Sequence, residues 1–454
     1  MKNSTIQLYN TLTKKKETFK PIKKGYIGMY SCGPTVWNYA HIGNFRTYIF
    51  NDLLKRMFEY NDYKVNHIMN ITDIDDRIIK VSREESMPFK KFTSKYEKIF
   101  FDELKSLNII PPSSAPKATE SIKDIVKLIK KLLDNGCAYR AEDGIYFSIG
   151  KSKGYGKLAG LDKIKKTKQR VSTDKYDKDN AKDFALWKFY IEDDGDVFWE
   201  TELGKGRPGW HIECSAMSIK ALGNTIDIHT GATDLIFPHH TNEIAQSECA
   251  TGKKFVNYWV HAGFLNTKEE KMSKSLGNIL TIKSIIDNGY NPLHFRYLCL
   301  LTHYRKPLDF TFEHLESAKN AFEKLRRNVI DMRKSITKGK LTNSYQDKFH
   351  KAINDDLNMP LAMQVLWEVV KDSELGMHQK LKIIEKFDSI LGLGIKEMKE
   401  DSVPREIKDL VEKRESARRA KDWVLEDSLR NTIRKKGFEI EDSSEGTKIT
   451  ALLH

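Results

Sequence analysis

The chain has 454 residues, a net charge of +14 and an isoelectric point of about 9.2. This length suggests roughly three domains, and the 39% hydrophobic content can supply a sizeable core. The basic excess favours a polyanionic partner, either nucleic acid or an anionic membrane surface, although a lysine-rich proteome would produce the same charge. No stretch approaches the ~18 consecutive apolar residues that suggest a membrane span, and the polar N-terminus lacks the apolar core of a signal peptide. These features argue against a membrane-spanning protein and predict a cytoplasmic one.

The cysteines are odd in number and widely spaced, unlike the framework of a disulfide-stabilised domain. They are Cys32, Cys137, Cys214, Cys249 and Cys299. Because reduced thiols are the rule in the cytosol, the pattern predicts five free cysteines.

The predicted elements begin with a strand, a glycine turn, a helix and a second strand. Residues 26–34 form a short apolar run that ends in a Gly-Pro turn. His41 then opens a segment with apolar residues at helical spacing, and residues 64–71 form the second strand. This order is typical of the opening of a nucleotide-binding α/β unit.

The middle of the chain contains a predicted insertion and then the rest of the sheet. Residues 151–180 are polar and lysine-rich, which predicts a mobile and partly disordered stretch. Short apolar segments at 210–214, 226–229 and 258–261 are predicted as strands of the second half of the sheet.

After Pro292 the pattern becomes helical, and a small charged module follows Asp401. The predicted fold class is α/β: a Rossmann-like parallel-sheet catalytic domain split by an insertion, then an α-helical bundle and a small C-terminal α+β module. The predicted boundaries are 1–116 for the first catalytic half, 117–200 for the connective insertion, 201–310 for the second catalytic half, 311–400 for the bundle and 401–454 for the terminal module.

Two short motifs suggest a site for ATP. The sequence His-Ile-Gly-Asn places His41 and Asn44 three residues apart at a helix start, where backbone N–H groups and the helix dipole favour phosphate. Gly43 between them would let adenine and ribose approach the backbone. Far downstream, Lys271 and Lys274 lie in a Lys-Met-Ser-Lys-Ser run. Their charge could stabilise departing pyrophosphate in the transition state, although a solvated lysine loop is the commoner origin of such a run.

A second set of residues has the donor types that zinc prefers. His239 and Glu243 are four residues apart, so on a helix they share a face. Cys32 and Cys214 each end a predicted strand of the same sheet. A thiolate–thiolate–imidazole–carboxylate set suits Zn²⁺. Spacing alone is weak support, since buried free cysteines are common, and it does not exclude His240 as the rival of His239.

The paired ATP motifs resemble those of class I aminoacyl-tRNA synthetases, and further segments resemble the cysteinyl-tRNA synthetase family over nearly the whole chain. These segments are residues 32–36, 70–76, 210–217, 237–240 and 242–247. The resemblance implies that a zinc ion is held by Cys32, Cys214, His239 and Glu243. It implies that the cysteine substrate is bound by Gly33, Thr72, Trp210 and Asp234. It also implies that Lys274 contacts ATP.

The reaction implied by the resemblance joins L-cysteine to its cognate tRNA, with ATP and Mg²⁺, through a cysteinyl-adenylate. A zinc ion would select the substrate thiol over the serine hydroxyl, a choice that an ordinary pocket makes poorly. No separate editing domain is therefore predicted. The expected partners are tRNA, L-cysteine and ATP, with no membrane, and the chain is expected to be a monomer.

The chain departs from the usual family pattern at four positions near the expected site. Asn44 replaces a common histidine, Thr230 and Ala232 stand in a run that is often glycine, and Thr241 replaces a usual glutamate. Added Cβ atoms restrict the backbone near the substrate. These departures concern the details of the amino-acid pocket, whereas the reaction class rests on the other motifs.

The regions after residue 310 are predicted to bind the tRNA. Basic side chains that could follow phosphates are Lys319, Lys324, Arg326, Arg327, Arg333 and Lys334. Arg434, Trp423 and Phe438 could bond or stack on anticodon bases, but for the two aromatic residues a place in the core of the small module is favoured. Three alternatives stay open: a cysteine ligase with a small amine acceptor, a nucleotidyltransferase and a non-catalytic RNA-binding module.

Overall fold

The structure is a computed structural model of the chain. The residues it describes are 5–161, 165–171, 180–267, 279–335, 344–400, 404–443 and 446–451.

The first part of the chain alternates strands and helices. Its elements are β1 (Gln7–Asn10), β2 (Lys15–Thr18), β3 (Tyr26–Ser31), α1 (Ile42–Tyr60), β4 (Lys64–Met69), α2 (Asp76–Glu84) and α3 (Phe89–Ser106). Helix α1 is buried along most of its length. It connects β3 to β4 in the chain, and these two strands pair in parallel. The strand–turn–helix–strand order predicted for this region is confirmed.

A second, mostly antiparallel sheet follows. Its elements, with the helix that precedes them, are α4 (Ile122–Asp134), β5 (Ala138–Arg140), β6 (Gly144–Phe147), β7 (Lys165–Val171), β8 (Asn180–Phe189) and β9 (Gly206–Pro208). The strand order is β5-β6-β8-β7, and β9 pairs with β8. The prediction of partial disorder over 151–180 is wrong where β7 lies, because its backbone pairs with the apolar strand β8. Residues 162–164 and 172–179 lie outside the described residues.

The central sheet is completed by the third group of elements. They are α5 (Trp210–Leu222), β10 (Ile226–Ala232), α6 (His239–Thr251), β11 (Val256–Ala262), β12 (Leu265–Thr267), α7 (Ile282–Asp287), α8 (Pro292–Leu300) and β13 (Leu308–Phe310). The order β11-β10-β3-β4 is parallel throughout. The carboxyl ends of all four strands therefore meet at one edge, where open α/β sheets bind their ligands.

The prediction of a strand at 210–214 is wrong, because this segment begins helix α5. Eight consecutive residues from His211 to Ser218 are buried, so the helix shows no amphipathic stripe. A short apolar run of this kind cannot be distinguished from a buried strand by periodicity. Cys214 consequently reaches the sheet from a helix packed against it and does not end a strand.

The remaining elements are helical except for a terminal hairpin. They are α9 (Phe312–Lys334), α10 (Ser344–Asn354), α11 (Met359–Lys371), α12 (Met377–Leu391), α13 (Arg405–Arg419), α14 (Trp423–Lys435), β14 (Phe438–Ser443) and β15 (Gly446–Ala451). Helices α9 to α12 pack with the central sheet in one continuous core, whereas the last two helices and the hairpin have a small core of their own. Within the described ranges, no helix combines the length and apolar character of a bilayer span.

Two of the five cysteines are bonded to each other, contrary to the prediction of five free thiols. Cys137, which precedes β5, forms a disulfide with Cys249 of α6; their Cα atoms are 6.6 Å apart and 112 positions separate them in sequence. The amide of Asn135 also donates to the Cys249 carbonyl at 2.9 Å. Cys32, Cys214 and Cys299 are free and buried. Spacing could not reveal the pair, since only the packing of α4 against α6 brings it together.

A buried ion-pair group joins the helices packed on the central sheet to the helical bundle. The Asp52 carboxylate of α1 accepts hydrogen bonds from Arg56 Nε at 2.8 Å and Arg296 Nη2 at 2.6 Å. Arg296 in turn donates to the Leu391 carbonyl of α12 at 2.7 Å. The side chains of Asp52 and Arg296 have no exposed surface. A buried charge needs such paired partners, so this group fixes how α1, α8 and α12 meet.

Candidate active site

The predicted ATP-binding turn lies at the start of α1, beside the carboxyl end of β3. His41 is the N-cap residue of α1 and forms a capping box with Asn44. The Asn44 N–H donates to His41 Nδ1, and the His41 N–H donates to Asn44 Oδ1, each at 3.2 Å. A Cβ at Gly43 would come within 2.9 Å of His41 Nδ1. The cap itself therefore demands a glycine, and it turns the imidazole and the amide towards the same side of the helix start.

The predicted lysines of the second ATP motif, Lys271 and Lys274, lie outside the described residues. The residues flanking their segment are described and lie near the turn. Leu280 accepts a hydrogen bond from the Ile42 N–H at 2.9 Å, and Leu265 of β12 is the next neighbour that a Cβ at Gly43 would meet. The described residues on both sides of this segment thus lie at the start of α1.

The four predicted metal ligands meet in one buried cluster. Cys32 follows β3, Cys214 lies in α5, and His239 and Glu243 lie on one face of α6. Their ligand atoms all lie within 4.8 Å of one another. His239 Nε2 is 3.2 Å from Glu243 Oε1, and Cys32 Sγ is 3.9 Å from the same oxygen. Two sulfurs, an imidazole nitrogen and a carboxylate form a set that suits zinc.

A second possible set shares part of this cluster. Cys32 and Glu243 also lie within 4.8 Å of His229 and His240. The nitrogen Nε2 of His240 is 3.3 Å from Cys32 Sγ, and Nε2 of His229 is 3.0 Å from Glu243 Oε2. His239 and His240 are therefore both close enough to Cys32 and Glu243 to bind a metal ion with them, so both candidates from the sequence are possible by distance. The first set has two sulfurs and the second has one, which makes the first the better match to a borderline-soft cation.

Outer contacts hold each of the two adjacent histidines in place. Nδ1 of His239 is 2.8 Å from Nδ1 of His211, and the Trp210 ring stacks on His239 with 4.3 Å between ring centroids. Nδ1 of His240 is 2.8 Å from Nε2 of His261. Partners of this kind orient the imidazole and select its tautomer, as they do around bound metals.

Burial sets the protonation of the cluster. Loss of solvent lowers to about 3 the pKa values of three imidazoles, those of His211, His239 and His261. Burial, together with the neighbouring Cys214, raises the pKa of the Cys32 thiol well above its ordinary value, while the pKa of Cys214 is also raised. The imidazoles are therefore neutral at pH 7, which is the form that binds a metal. The thiols would need a cation to ionise them, so the residues fit a divalent ion.

The predicted substrate residues Gly33 and Thr72 lie side by side at the sheet edge. The Gly33 N–H donates to Asn70 Oδ1 at 3.0 Å, and a Cβ on Gly33 would stand 1.7 Å from the Asn70 carbonyl oxygen. No other residue fits there. The Thr72 hydroxyl accepts from Asn70 Nδ2 at 3.1 Å and donates to Glu213 Oε2 at 3.2 Å. These bonds place Thr72 beside Glu213, the residue that precedes the predicted metal ligand Cys214.

Trp210 and Asp234 lie close in sequence to two residues of the cluster, Cys214 and His239. Trp210 begins α5 and contacts His239 directly. Asp234 lies in the 3₁₀ turn Thr233–Ile236 that follows β10, and burial raises the pKa of its carboxyl. The structure thus brings Trp210 to the metal-ligand cluster and places Asp234 at the neighbouring end of the sheet.

The departures from the family pattern are accommodated locally. Thr230 is buried, and its hydroxyl is 3.5 Å from the Tyr30 carbonyl oxygen. Thr241 donates to the Ile236 carbonyl at 2.7 Å. The chain keeps a glycine at position 231, where an added Cβ would lie only 2.7 Å from the His240 ring. At Thr230 and Thr241, by contrast, the side chain fits and its hydroxyl lies within 3.5 Å of a backbone carbonyl oxygen.

Several residues of the site were not identified from the sequence. They are Tyr30, Asn70, His211, Glu213, His229 and His261. The available signal is weak, because these six residues are distributed over β3, the position just after β4, α5, β10 and β11, and only α5 contributes two of them. Lone histidines in apolar segments are usually satisfied core residues, so their convergence emerges only in three dimensions.

Some of the predicted tRNA-binding residues are bonded within the helical bundle, and others are exposed. Arg333 donates to the Ile395 carbonyl at 2.6 Å, and Arg326 to the Lys399 carbonyl at 2.6 Å, so these two arginines hold α9 to the chain that follows α12. Lys324 and Arg327 are exposed on α9. The favoured core placement is wrong for Trp423, which is 58% exposed, whereas Phe438 packs against the small terminal core as predicted.

Comparison with known proteins places the chain in a family. A family model described as the class I (C) tRNA synthetase catalytic domain matches residues 18–320. Two similar relatives are cysteine–tRNA ligases from Protochlamydia amoebophila, 41% identical over 99% of this chain and 98% of the relative, and from Methanosarcina acetivorans, 42% identical over 98% of each. The methionyl-tRNA synthetase of Mycobacterium tuberculosis bound by methionyl-adenylate has a TM-score of 0.58 at 13% identity, covering 83% of this chain and 90% of that one. A leucyl-tRNA synthetase complex of Agrobacterium radiobacter has a TM-score of 0.59 at 10% identity, covering 84% and 85%.

The parallel sheet, the His41 turn and these matches define a class I aminoacyl-tRNA synthetase, an α/β ligase with an added helical region. Within that class, the full-length relatives show that the chain belongs to the cysteine–tRNA ligase family.

Proposed function

We propose that the chain activates L-cysteine with ATP and Mg²⁺ and transfers it to a cysteine-specific tRNA through a cysteinyl-adenylate. One observation carries the proposal: a buried cluster of two thiols, an imidazole and a carboxylate lies at the same sheet edge as the capped turn of His41. That arrangement provides both a thiol-selecting site and a phosphate-favouring helix start. The relatives named as cysteine–tRNA ligases support the same choice of amino acid.

The proposed zinc ligands are Cys32, Cys214, His239 and Glu243. A zinc ion bound there supplies a Lewis acid that prefers a sulfur ligand to a hydroxyl. The residues around it have supporting roles: Trp210 covers one face of His239, and His211 holds its second nitrogen. Because the cluster is buried, water is kept from competing with a substrate thiol. The amino-acid pocket proposed beside it consists of Gly33, Thr72, Trp210 and Asp234.

The ATP site is proposed at the start of α1. The capping box uses the carbonyl oxygen of Asn44, so its amide nitrogen is the group suited to donate to a phosphate oxygen. His41, Gly43 and Asn44 would hold the nucleotide, and Lys271 and Lys274 would stabilise charge on the departing pyrophosphate. The proposed domain boundaries are those predicted above, and the protein is proposed to act as a cytoplasmic monomer.

The activation chemistry is tested by Lys274→Ala. We expect cysteine-dependent ATP–pyrophosphate exchange to fall about 10²–10³-fold, the usual cost of removing one group that stabilises transition-state charge. Cysteine binding should change little. Serine should support no exchange with either protein. A matched control is Lys283→Ala on α7, because Lys283 is an exposed lysine that pairs with Asp287 at 2.6 Å. An exchange rate unchanged by Lys274→Ala contradicts the assignment.

The proposal that tRNA accepts the activated cysteine is tested at the start of α14. Three apolar residues form an exposed patch there: Trp423, Val424 and Leu425, which are 58%, 83% and 47% exposed. Base stacking on an aromatic side chain is worth about 1–3 kcal/mol. We therefore expect Trp423→Ala to weaken tRNA binding by about 5- to 150-fold and to leave pyrophosphate exchange intact. Tyr26→Ala is the control. Tyr26 is also an exposed aromatic residue, at 44%, but it lies at the first residue of β3, away from the carboxyl end of the sheet and from α14 in sequence.

Equal tRNA affinity for wild type and Trp423→Ala contradicts this role. If activated cysteine passes to a small amine and not to tRNA, the cysteine ligase with a small acceptor is the correct function.

A further inference from the structure

The hydroxyl of Tyr30 is buried beneath the metal-ligand cluster and has no hydrogen-bond partner among the described residues. Tyr30 itself is fully buried on β3. Leaving a buried hydroxyl unpaired costs free energy, and native proteins rarely do so. The orphaned hydroxyl therefore points to an acceptor that forms when the cluster binds its ligand.

The fold directs this hydroxyl towards the cluster. Tyr30 and Cys32 are two positions apart along extended backbone, so their side chains leave on the same face. Both belong to one group of packed buried residues that also contains Cys214 and Trp259. The Tyr30 ring meets the edge of the His229 ring, with 5.0 Å between centroids and an interplanar angle of 64°.

Among the described residues, the other possible acceptors near Tyr30 already have polar partners. Of the two oxygens of Glu243, Oε2 lies 3.0 Å from His229 Nε2 and Oε1 lies 3.2 Å from His239 Nε2. The remaining nitrogen of His229 is 3.3 Å from the Thr230 carbonyl. The sulfur of Cys32 meets His240 Nε2 at 3.3 Å. This leaves the sulfur of Cys214 as the group best placed to accept from Tyr30.

A tyrosine hydroxyl can donate its proton to an acceptor that comes within reach. A thiol is a weak acceptor, but a thiolate that binds a cation is a charged acceptor and makes a stronger bond.

We propose that Tyr30 is a positioning residue, whose hydroxyl donates a hydrogen bond to the Cys214 sulfur when the cluster holds its metal ion. This inference rests on the proposed zinc site. The bond would fix the direction of the sulfur and draw negative charge from it. A less electron-rich Cys214 leaves the bound cation better able to accept the sulfur of a substrate, so Tyr30 would tune the site without touching the substrate.

The test uses Tyr30→Phe, which removes the hydroxyl and keeps the ring. Co²⁺ replaces zinc in the full-length protein, because its sulfur-to-metal charge-transfer band reports the charge on the thiolates. We expect the band to move to longer wavelength in the variant and the dissociation constant for Co²⁺ to rise about tenfold, at the lower end of the 10–100-fold cost of losing such an outer partner. The matched control is Tyr297→Phe, which loses a buried hydroxyl bonded to Trp367 Nε1 at 2.9 Å in the helical bundle.

Thermal melting gives a second, independent measurement. Without metal, Tyr30→Phe should melt at or above the wild-type temperature, because it removes an atom that has no partner. With metal, its gain in melting temperature should be smaller than that of wild type. A metal-free variant that melts well below wild type, or fails to fold, would show another partner and overturn the assignment.

The outcomes separate the two proposals. Wild type that binds Co²⁺ with a sulfur charge-transfer band, together with a Tyr30→Phe variant identical in band and affinity, overturns the role of Tyr30 alone. Wild type that shows no such band overturns the metal site, and the role of Tyr30 with it.

Discussion

Replacing Cys214 with serine is expected to remove the zinc ion from the protein and to reduce cysteine-dependent pyrophosphate exchange by about a hundredfold or more. Mutating a residue that only supports a metal ligand already costs 10–100-fold in affinity or activity, and Cys214 supplies one of the two sulfurs of the buried cluster. The serine hydroxyl is a harder and more weakly acidic donor than a thiol, so it suits the cation less well. Metal analysis and the exchange assay on the purified variant provide the measurement.

The control for this experiment is Cys299→Ser. Cys299 is also free and buried, but it packs in the hydrophobic core between α8 and its neighbours. Its substitution should lower stability and leave about one zinc per chain. A Cys214→Ser protein that keeps one zinc ion and full exchange activity would refute the ligand assignment, and it would favour the set containing His229 and His240.

Replacing Asp52 with alanine should lower the free energy of unfolding by about 3–5 kcal/mol, because breaking a buried ion pair leaves its partners uncompensated. The carboxylate accepts from Arg56, Arg296 and the N–H of Ile110. The nearby carboxylate of Asp388 is held in its own place by the N–H groups of Leu393 and Ile395, one on each oxygen, so we do not expect it to move to the position of Asp52. Urea unfolding followed by tryptophan fluorescence would report the loss as a lower midpoint.

The control for Asp52→Ala is Asp287→Ala, which breaks an exposed pair with Lys283 on α7. Exposed pairs of this kind contribute about 0–1 kcal/mol, so the midpoint should hardly move. If the two variants unfold alike, the Asp52 group does not hold the bundle against the catalytic sheet.

The part of the site that is local in sequence could be predicted from it. The spacing of His41 and Asn44 produces the capping box because a helix start brings N-cap and N3 together. The four-residue spacing of His239 and Glu243 places them on one face of α6. In both cases the geometry is set within one helical turn, so neighbours in sequence are sufficient to define it.

The part that depends on long-range packing could not be predicted in the same way. Cys214 lies on a helix that is buried nearly all round, and its apolar run was therefore mistaken for a strand. The pairing of Cys137 with Cys249, across 112 positions, required the packing of α4 against α6. Trp423 and Phe438 looked alike in sequence, but the former lies on the outer face of α14 and the latter against the hairpin core.

The class of chemistry could be predicted from the amino-acid sequence, which contains two motifs for ATP, a donor set that suits zinc, and segments that resemble one family of ligases. The surroundings of these groups emerge only in three dimensions: the histidines behind the predicted ligands, the buried hydroxyl of Tyr30 and the Asp52 group between the central sheet and the bundle. Ligand identity is predictable because it depends on the functional groups of a few residues. Burial and pairing depend on which elements converge at one sheet edge, and that convergence is a property of the whole fold.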